Sequence, residues 1–421
     1  MLTTAPRGTH DILPGEVEKW QHLETMIRFH CRLFGYGEIR LPLFEHTELF
    51  QRGVGETTDI VEKEMYTFTD RGGRSLTLRP EATASTVRAY LEHNLNGAPQ
   101  PAKLYYIGPM FRYDRPQAGR YRQFSQFGVE AIGSADPTVD AEVILLALDL
   151  YAKLGLSDLT VQLNSIGCPK CRRQYRDTLV KYLSQQQNEL CDSCLGRLER
   201  NPLRVLDCKE DACRRVTKNA PEFSGFLCAE CREHFELVKG CLERAGARYE
   251  LNSNLVRGLD YYTKTVFEIT WSGLGAQTAL CGGGRYDGLV EECGGPPTPG
   301  VGFAMGLERL FLALDQAGIE LPGKEAPDVF VAALTREDNA TAFELLTWLR
   351  RAGISAEKDY LSRSLRAQLK HANRLGASFT VIVGGEEAVR NTVSLRNMAD
   401  GSQEEIRLDD LISVLTERLH C

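Results

Sequence analysis

The sequence predicts an α+β chain in three parts: a body of hairpins and helices, an inserted helical module rich in cysteine, and a small α/β domain at the C-terminal end. Three observations carry this. Residues 106–132 read as strand, loop, strand, with Phe124, Phe127, Val129 and Ile132 set among polar partners. Residues 168–231 hold four close cysteine pairs among short helical patterns. After a linker at 318–326, GIELPGKEA, β and α patterns alternate.

Composition bounds the answer. A length of 421 residues suggests about three domains of ~150 residues. Hydrophobic content of 43% with 25% charged residues is that of a globular protein with ample core. No run approaches the ~18 apolar residues of a membrane span, and MLTTAPRGTHDILPGE lacks the apolar core of a signal peptide. A cytoplasmic protein without membrane contact is expected. A net charge of −7 excludes a uniformly basic nucleic-acid binder, so any such contact must come from local patches.

The elements follow in order. Residues 14–35 read as a helix with Trp20, Leu23, Ile27, Phe29 and Leu33 on an apolar face. Residues 38–43 read as a strand ending near Pro42, suited to an edge or a subunit border. Residues 53–63 look like a mobile loop, and 65–69 with 75–78 like a hairpin. Leu78 to Thr83 forms a strand-to-helix junction, with Pro80 placed in the first turn of a helix running toward His93. Helix 140–154, strand 161–164, strand 250–256 and strand 265–271 follow. Cys281 to Gly288 contains three consecutive glycines, where backbone can approach a ligand, and Gly300 to Arg309 runs from strand into helix. Beyond the linker come strand 329–334, helix 339–351, a helix within 358–375, strands 379–383 and 393–397, and helix 409–418. The expected divisions are 1–166 and 248–320 for the body, 167–247 for the insertion and 327–421 for the last domain.

Two constellations carry chemistry. Arg112, Arg115, Arg120 and Arg122 crowd the central hairpin beside Asp114 and Glu130. Guanidinium forks match phosphate oxygens in a bidentate way, so rigid strands carrying them can hold a bent polyphosphate. The second is the insertion, where eight of the thirteen cysteines fall as Cys168/Cys171, Cys191/Cys194, Cys208/Cys213 and Cys228/Cys231. These spacings let two thiolates reach one metal, so the eight suit two tetrahedral structural Zn²⁺ sites. The pairs combine in three ways and spacing does not choose among them; reduced thiols and redox-active pairs stand as rival readings.

The central hairpin resembles motif 2 of class II aminoacyl-tRNA synthetases, in the form found in the histidyl-tRNA synthetase family. Residues 7–14 (RGTHDILP), Arg257-Gly-Leu-Asp-Tyr-Tyr and Gly283-Gly-Arg-Tyr-Asp-Gly-Leu are similar to stretches particular to that family. Glu38 to Phe44 resembles motif 1, a dimer-interface element, and Gly300 to Arg309 resembles motif 3. The resemblance implies an antiparallel catalytic sheet flanked by helices, a C-terminal anticodon-binding domain and a homodimer. The implied reaction forms histidyl-adenylate from L-histidine and ATP with Mg²⁺, then esterifies tRNA(His). By motif position, Arg112 and Arg257 would be catalytic, contacting the α-phosphate and histidine carboxylate. Arg120, Phe124 and Arg309 would join Arg112 in holding ATP. Glu81, Thr83 and Gln126 would surround the histidine ammonium, and Glu130, Tyr262 and Tyr286 its imidazole. Arg115 and Gln117 would meet the tRNA acceptor end. Arg363, Arg366, Lys370 and Arg374, recurring at helical spacing, would contact phosphates near the anticodon stem. The family does not require the paired cysteines. A catalytically silent regulatory subunit of histidine biosynthesis is the alternative, although such a subunit is expected to lack the anticodon domain and the three arginines Arg112, Arg257 and Arg309.

Overall fold

The computed structural model describes residues 3–55, 58, 60–117, 119–275, 278–385 and 390–419. The chain divides into two compact units, Met1–Pro322 and Gly323–Cys421. The first is built on an eight-stranded sheet. Its order across the sheet is Gly37–Glu38, Ala102–Phe111, Gln123–Ile132, Gly300–Gly306, Ala279–Arg285, Thr263–Trp271, Leu159–Ser165 and Tyr249–Leu251. The six central strands are antiparallel, and the two short edge strands pair in parallel. The hairpin strands Ala102–Phe111 and Gln123–Ile132 pair over their full length, from Ala102 opposite Ile132 to Phe111 opposite Gln123.

Strand periodicity separates a core face from a working face. Phe127, Val129 and Ala131, with Val301, Phe303 and Met305, turn inward onto one core. The helices Val17–Leu33, Pro137–Lys153 and Leu307–Gln316 contribute Leu23, Ile27, Leu146, Leu150 and Leu310 to it. The alternate residues Phe124, Gln126, Gly302, Ala304 and Gly306 line the cavities described below. Large residues thus fill one face, and the small ones of strand Gly300–Gly306 leave the other concave. Helix Pro137–Lys153 starts cleanly because Asp136 caps it, its carboxylate accepting the Thr138 amide at 2.8 Å, and because proline occupies the first turn.

Some local expectations need correction. Residues 38–43 do not form one strand. Gly37–Glu38 joins the large sheet and Phe44–His46 a separate three-stranded sheet with Tyr66–Thr69 and Ser75–Leu78. Between them the carbonyls of Leu41 and Pro42 accept Arg79 Nη1–H at 3.1 and 3.3 Å, so a buried side chain serves that backbone. The expected loop at 53–63 includes the end of helix Thr47–Val54 and a π-helical turn at Ile60–Glu64; Glu56, Thr57 and Asp59 of that loop, like Ala118 of the hairpin loop, lie outside the described residues. Pro80 precedes its helix, which begins at Thr83. The strand expected at 250–256 stops at Leu251, where Asn252 Oδ1 accepts the Asn254 amide and turns the chain.

The insertion is helical, with Pro169–Ser184, Asp192–Arg200, Asp211–Thr217 and Ala229–Arg244. The second unit is a five-stranded sheet ordered Ala356–Lys358, Val329–Ala333, Phe379–Val383, Thr392–Asn397, Gln403–Arg407, parallel across the first three and antiparallel thereafter. Helices Asn339–Arg351, Leu365–Leu375 and Leu411–Leu419 accompany it. No helix among the described residues is long and apolar enough to cross a membrane.

Candidate active site

Two cavities open on the working face. One, of about 300 Å³, is lined by Arg112, Arg120, Phe124, Arg257, Glu268 and Arg309 among others. The second, about 130 Å³, is lined by Glu81, Thr83, Gln126, Glu130, Tyr262 and Tyr286 among others. They share only Arg112, Arg257, Gly282 and Ala304. Two arginines from different segments therefore stand where a polyphosphate lobe meets a smaller, carboxylate-bearing lobe.

Each charge at this junction is held. Arg112 Nε–H donates to the Pro80 carbonyl at 2.8 Å, and its guanidinium lies 5.5 Å from the Phe124 ring centre. Arg257 pairs with Glu268 on the neighbouring strand. Burial opposes the Arg257 charge, but Glu268 together with Tyr262 and Tyr261 outweighs this and holds its pKa above the ordinary value. Gly282 makes room for that guanidinium, since a Cβ there would collide with it. Arg120 Nη1 reaches Asp114 at 3.1 Å, and Arg309 projects from the first turn of helix Leu307–Gln316 into the larger cavity.

The smaller lobe is a dense polar network. Glu81 Oε2 and Oε1 accept the amides of Thr83 and Ala84 at 2.6 and 2.9 Å, capping the helix they start. Burial nonetheless raises the Glu81 pKa. Thr83 Oγ1–H donates to Glu130 at 2.7 Å, and Tyr286 Oη–H to its other oxygen at 2.6 Å. Burial pushes Glu130 up to about 8, against those hydrogen bonds. Burial also keeps the Tyr262 and Tyr286 hydroxyls protonated, so both remain donors. Gln126 Oε1 is buried with no protein donor, an acceptor aimed at a cavity that would take a cationic or N–H-bearing group.

Sequence reasoning missed Tyr106, Tyr261 and Glu268. Tyr106 Oη approaches Glu130 at 3.5 Å, and Tyr261 packs on Tyr262 and Tyr286 with ring centres 4.6 and 5.8 Å apart. Tyr261 stands in the Arg257–Tyr262 stretch already singled out, so its signal was present. Tyr106 and Glu268 read only as strand residues. Arg115 and Gln117 lie at the exposed hairpin tip, outside both cavities. Of the basic stripe, Arg366, Lys370 and Arg374 are exposed on helix Leu365–Leu375, whereas Arg363 precedes that helix and pairs with Asp359 at 3.4 Å.

Residues 8–310 match the family described as histidyl-tRNA synthetase, and residues 328–418 the anticodon binding domain. The chain belongs to the histidyl-tRNA synthetase family. A histidine–tRNA ligase of Pelotomaculum thermopropionicum is 59% identical over 419 residues, spanning 100% of this chain and 99% of its own. That of Desulforamulus reducens is 58% identical over 418 residues, covering 99% and 100%. The crystal structure of apo S. aureus histidyl-tRNA synthetase superposes with a TM-score of 0.84 at 44% identity, over 98% of this chain and 99% of that one. Full-length likeness at this level, anticodon-binding domain included, does not favour the silent regulatory subunit.

Proposed function

We propose that the two lobes divide the substrates of an ATP-dependent histidine–tRNA ligase, ATP in the larger and L-histidine in the smaller, with Arg112 and Arg257 at the reacting atoms. The observation that carries this is the junction: two cavities of suitable chemistry meet at those two cations. Histidine's α-carboxylate, with a pKa of about 3.5, is already an anion at neutral pH and needs no base. One carboxylate oxygen attacks the α-phosphorus, the bond to the bridging oxygen breaks, and diphosphate leaves. The terminal ribose of tRNA(His) then takes the histidyl group and AMP departs. What must be supplied is fixed positive charge and alignment.

Arg112 would bridge α-phosphate and carboxylate, and Arg257 would approach the α-phosphate from the opposite side. Phe124 would stack on adenine, with Arg120 and Arg309 on the phosphate end. Glu81, Thr83 and Gln126 would take the ammonium; the orphan Gln126 oxygen supports this. Glu130, Tyr262 and Tyr286 would engage both imidazole nitrogens, which rejects side chains that lack one. Mg²⁺ would accompany ATP and neutralise phosphate charge; Glu308, which lines the larger cavity, offers a carboxylate of the kind it prefers, Glu268 being engaged by Arg257.

The exposed Arg366, Lys370 and Arg374 suit tRNA phosphates, and Arg115 and Gln117 the acceptor end. A cytoplasmic homodimer is proposed with it: Leu43, Phe44 and Phe68 expose an apolar patch on and beside the three-stranded sheet, in the motif 1 region. The paired cysteines would carry structural Zn²⁺. The decisive experiment is histidine-dependent exchange of diphosphate into ATP by the purified chain. Well-folded protein with no exchange would refute the enzyme and leave the regulatory-subunit reading.

A further inference from the structure

The eight paired cysteines of the insertion fall into two separate quartets. Cys168, Cys171, Cys228 and Cys231 form one; Cys191, Cys194, Cys208 and Cys213 form the other, and within each all four sulfurs lie within 4.8 Å of one another. Four sulfurs at ~2.3 Å from one zinc stand ~3.8 Å apart. Cys168 and Cys171 Sγ are 3.6 Å apart, and Cys191 and Cys208 Sγ 3.9 Å. Both separations match a tetrahedral edge and neither is a disulfide. Each quartet is also cross-linked by an amide: Cys228 N–H donates to Cys171 Sγ, and Cys191 N–H to Cys213 Sγ, both at 3.2 Å. Cys171, Cys194, Cys208, Cys213 and Cys231 are buried, so a bound ion would be closed off from substrate.

The quartets sit where the insertion grips the active site. Arg172, next to Cys171, donates from Nη1 to the carbonyls of Tyr262 and Asp260 at 3.0 and 3.4 Å. Helix Asp192–Arg200, which holds Cys194, ends at Asn201, and Asn201 Nδ2 donates to Asp260 Oδ1 at 2.7 Å. Arg204, four residues before Cys208, donates to the Arg257 carbonyl at 3.2 Å. Residues 257–262, which carry Arg257 and Tyr262, are therefore held from two sides by elements rooted in the two quartets.

We infer that the chain binds two zinc ions, one in each four-cysteine site, and that together they hold residues 257–262 in the geometry that receives histidine. The metal sites stand on their own; the coupling rests on the function proposed above. An ion in each quartet fixes the start of a helix, Pro169–Ser184 or Asp192–Arg200, and Arg172 in the first turn of the one and Asn201 at the end of the other reach that segment, at the Tyr262 and Asp260 carbonyls and the Asp260 carboxylate. Without it the thiolates repel or disperse, and Arg172, Asn201 and Arg204 lose their anchorage.

The parent chain, purified without chelator, should contain about two zinc per chain, each with four sulfur neighbours at ~2.3 Å by X-ray absorption. Folded, metal-free parent with its eight insertion thiols titratable would overturn the metal sites, and this measurement needs no variant to fold. Cys171→Ser with Cys231→Ser should remove one zinc, whereas Cys171→Ser with Cys213→Ser should remove both; the reverse pattern would overturn the pairing. In variants missing one ion, KM for histidine should rise on the order of tenfold to a hundredfold in diphosphate exchange, with KM for tRNA(His) little changed. Loss of an ion with an unchanged histidine KM would overturn the coupling and leave the zinc sites standing. Zinc-loaded parent that fails to catalyse exchange would instead overturn the functional reading.

Discussion

Replacing Arg257 by Ala tests the junction most directly. Its guanidinium borders both cavities and pairs with Glu268 from the adjacent strand. Two losses follow from removal. The transition state loses one fixed donor, commonly worth ~10²–10³ in rate. Glu268 is also left without Arg257 in the polyphosphate cavity, where its carboxylate opposes the charge building up on the phosphates by on the order of a further 1–3 kcal/mol in the transition state. The expected fall in kcat for histidine-dependent diphosphate exchange is therefore on the order of 10³ to 10⁵, larger than a missing donor alone would give. The second term is separable: Arg257→Ala combined with Glu268→Gln should recover at least about tenfold over Arg257→Ala, because the repulsive carboxylate is gone. Unfolding midpoint and tRNA(His) affinity should stay near parental. If Arg257→Ala keeps exchange within tenfold of the parent, or if the double variant is no better than the single, the assigned geometry is wrong.

Other outcomes follow from other parts of the molecule. Glu130, raised to about 8 by burial, binds a proton in the folded state that it releases near 4.5 when unfolded; stability from this site is therefore present at low pH and lost as pH rises toward 8, so thermal unfolding between pH 5.5 and 9 should fall more steeply for the parent than for Glu130→Gln. Arg366→Ala with Lys370→Ala should weaken tRNA(His) binding and reduce its salt slope by roughly 1–2, while diphosphate exchange is spared; unchanged affinity would place the anticodon-stem contact elsewhere. Asp140, fully buried, pairs with Arg285 and lies 3.2 Å from His234; Asp140→Ala should cost about 3 kcal/mol in urea unfolding, because the fully buried Arg285 is left with the partly exposed Asp287, 3.2 Å from its Nη1, as its carboxylate partner.

The hairpin of residues 102–132 was legible because alternation and a Gly- and Pro-bearing loop are local signals, and its arginines are the residue type that phosphate chemistry needs. The cysteine spacing was equally local. What sequence could not supply was long-range partnership. Which cysteine pairs join depends on how helices Pro169–Ser184 and Ala229–Arg244 return to each other across residues 185–228. Arg79 reads as an ordinary strand-end cation, yet it takes the carbonyls that split the strand expected at 38–43. Glu268 looked like one polar residue in a β-run, and it is the pairing of strands Thr263–Trp271 and Ala279–Arg285 that sets it opposite Gly282, the glycine against which the Arg257 guanidinium lies. The overlong strand at 250–256 shows the opposite failure: Asn252 carried a turn signal that the apolar Leu255 and Val256 masked.

The arrangement of charge explains why the site needs a sheet. Adenylate formation starts from an anion attacking an anion, so the protein must hold cations still against mutual repulsion and against their own desolvation. Arg112 is fixed by the Pro80 carbonyl and Arg257 by Glu268, on separate segments that the sheet brings to one junction. The same logic runs inverted in the histidine lobe, where Glu81 is held by two amides and Glu130 by the Thr83 and Tyr286 hydroxyls. A fixed guanidinium costs no reorganisation when charge develops, whereas a flexible lysine ammonium would have to be reoriented and partly stripped of water at each turnover. On this argument Arg257→Lys keeps the charge but loses the fork held by Glu268, and it should resemble Arg257→Ala in kcat more closely than it resembles the parent.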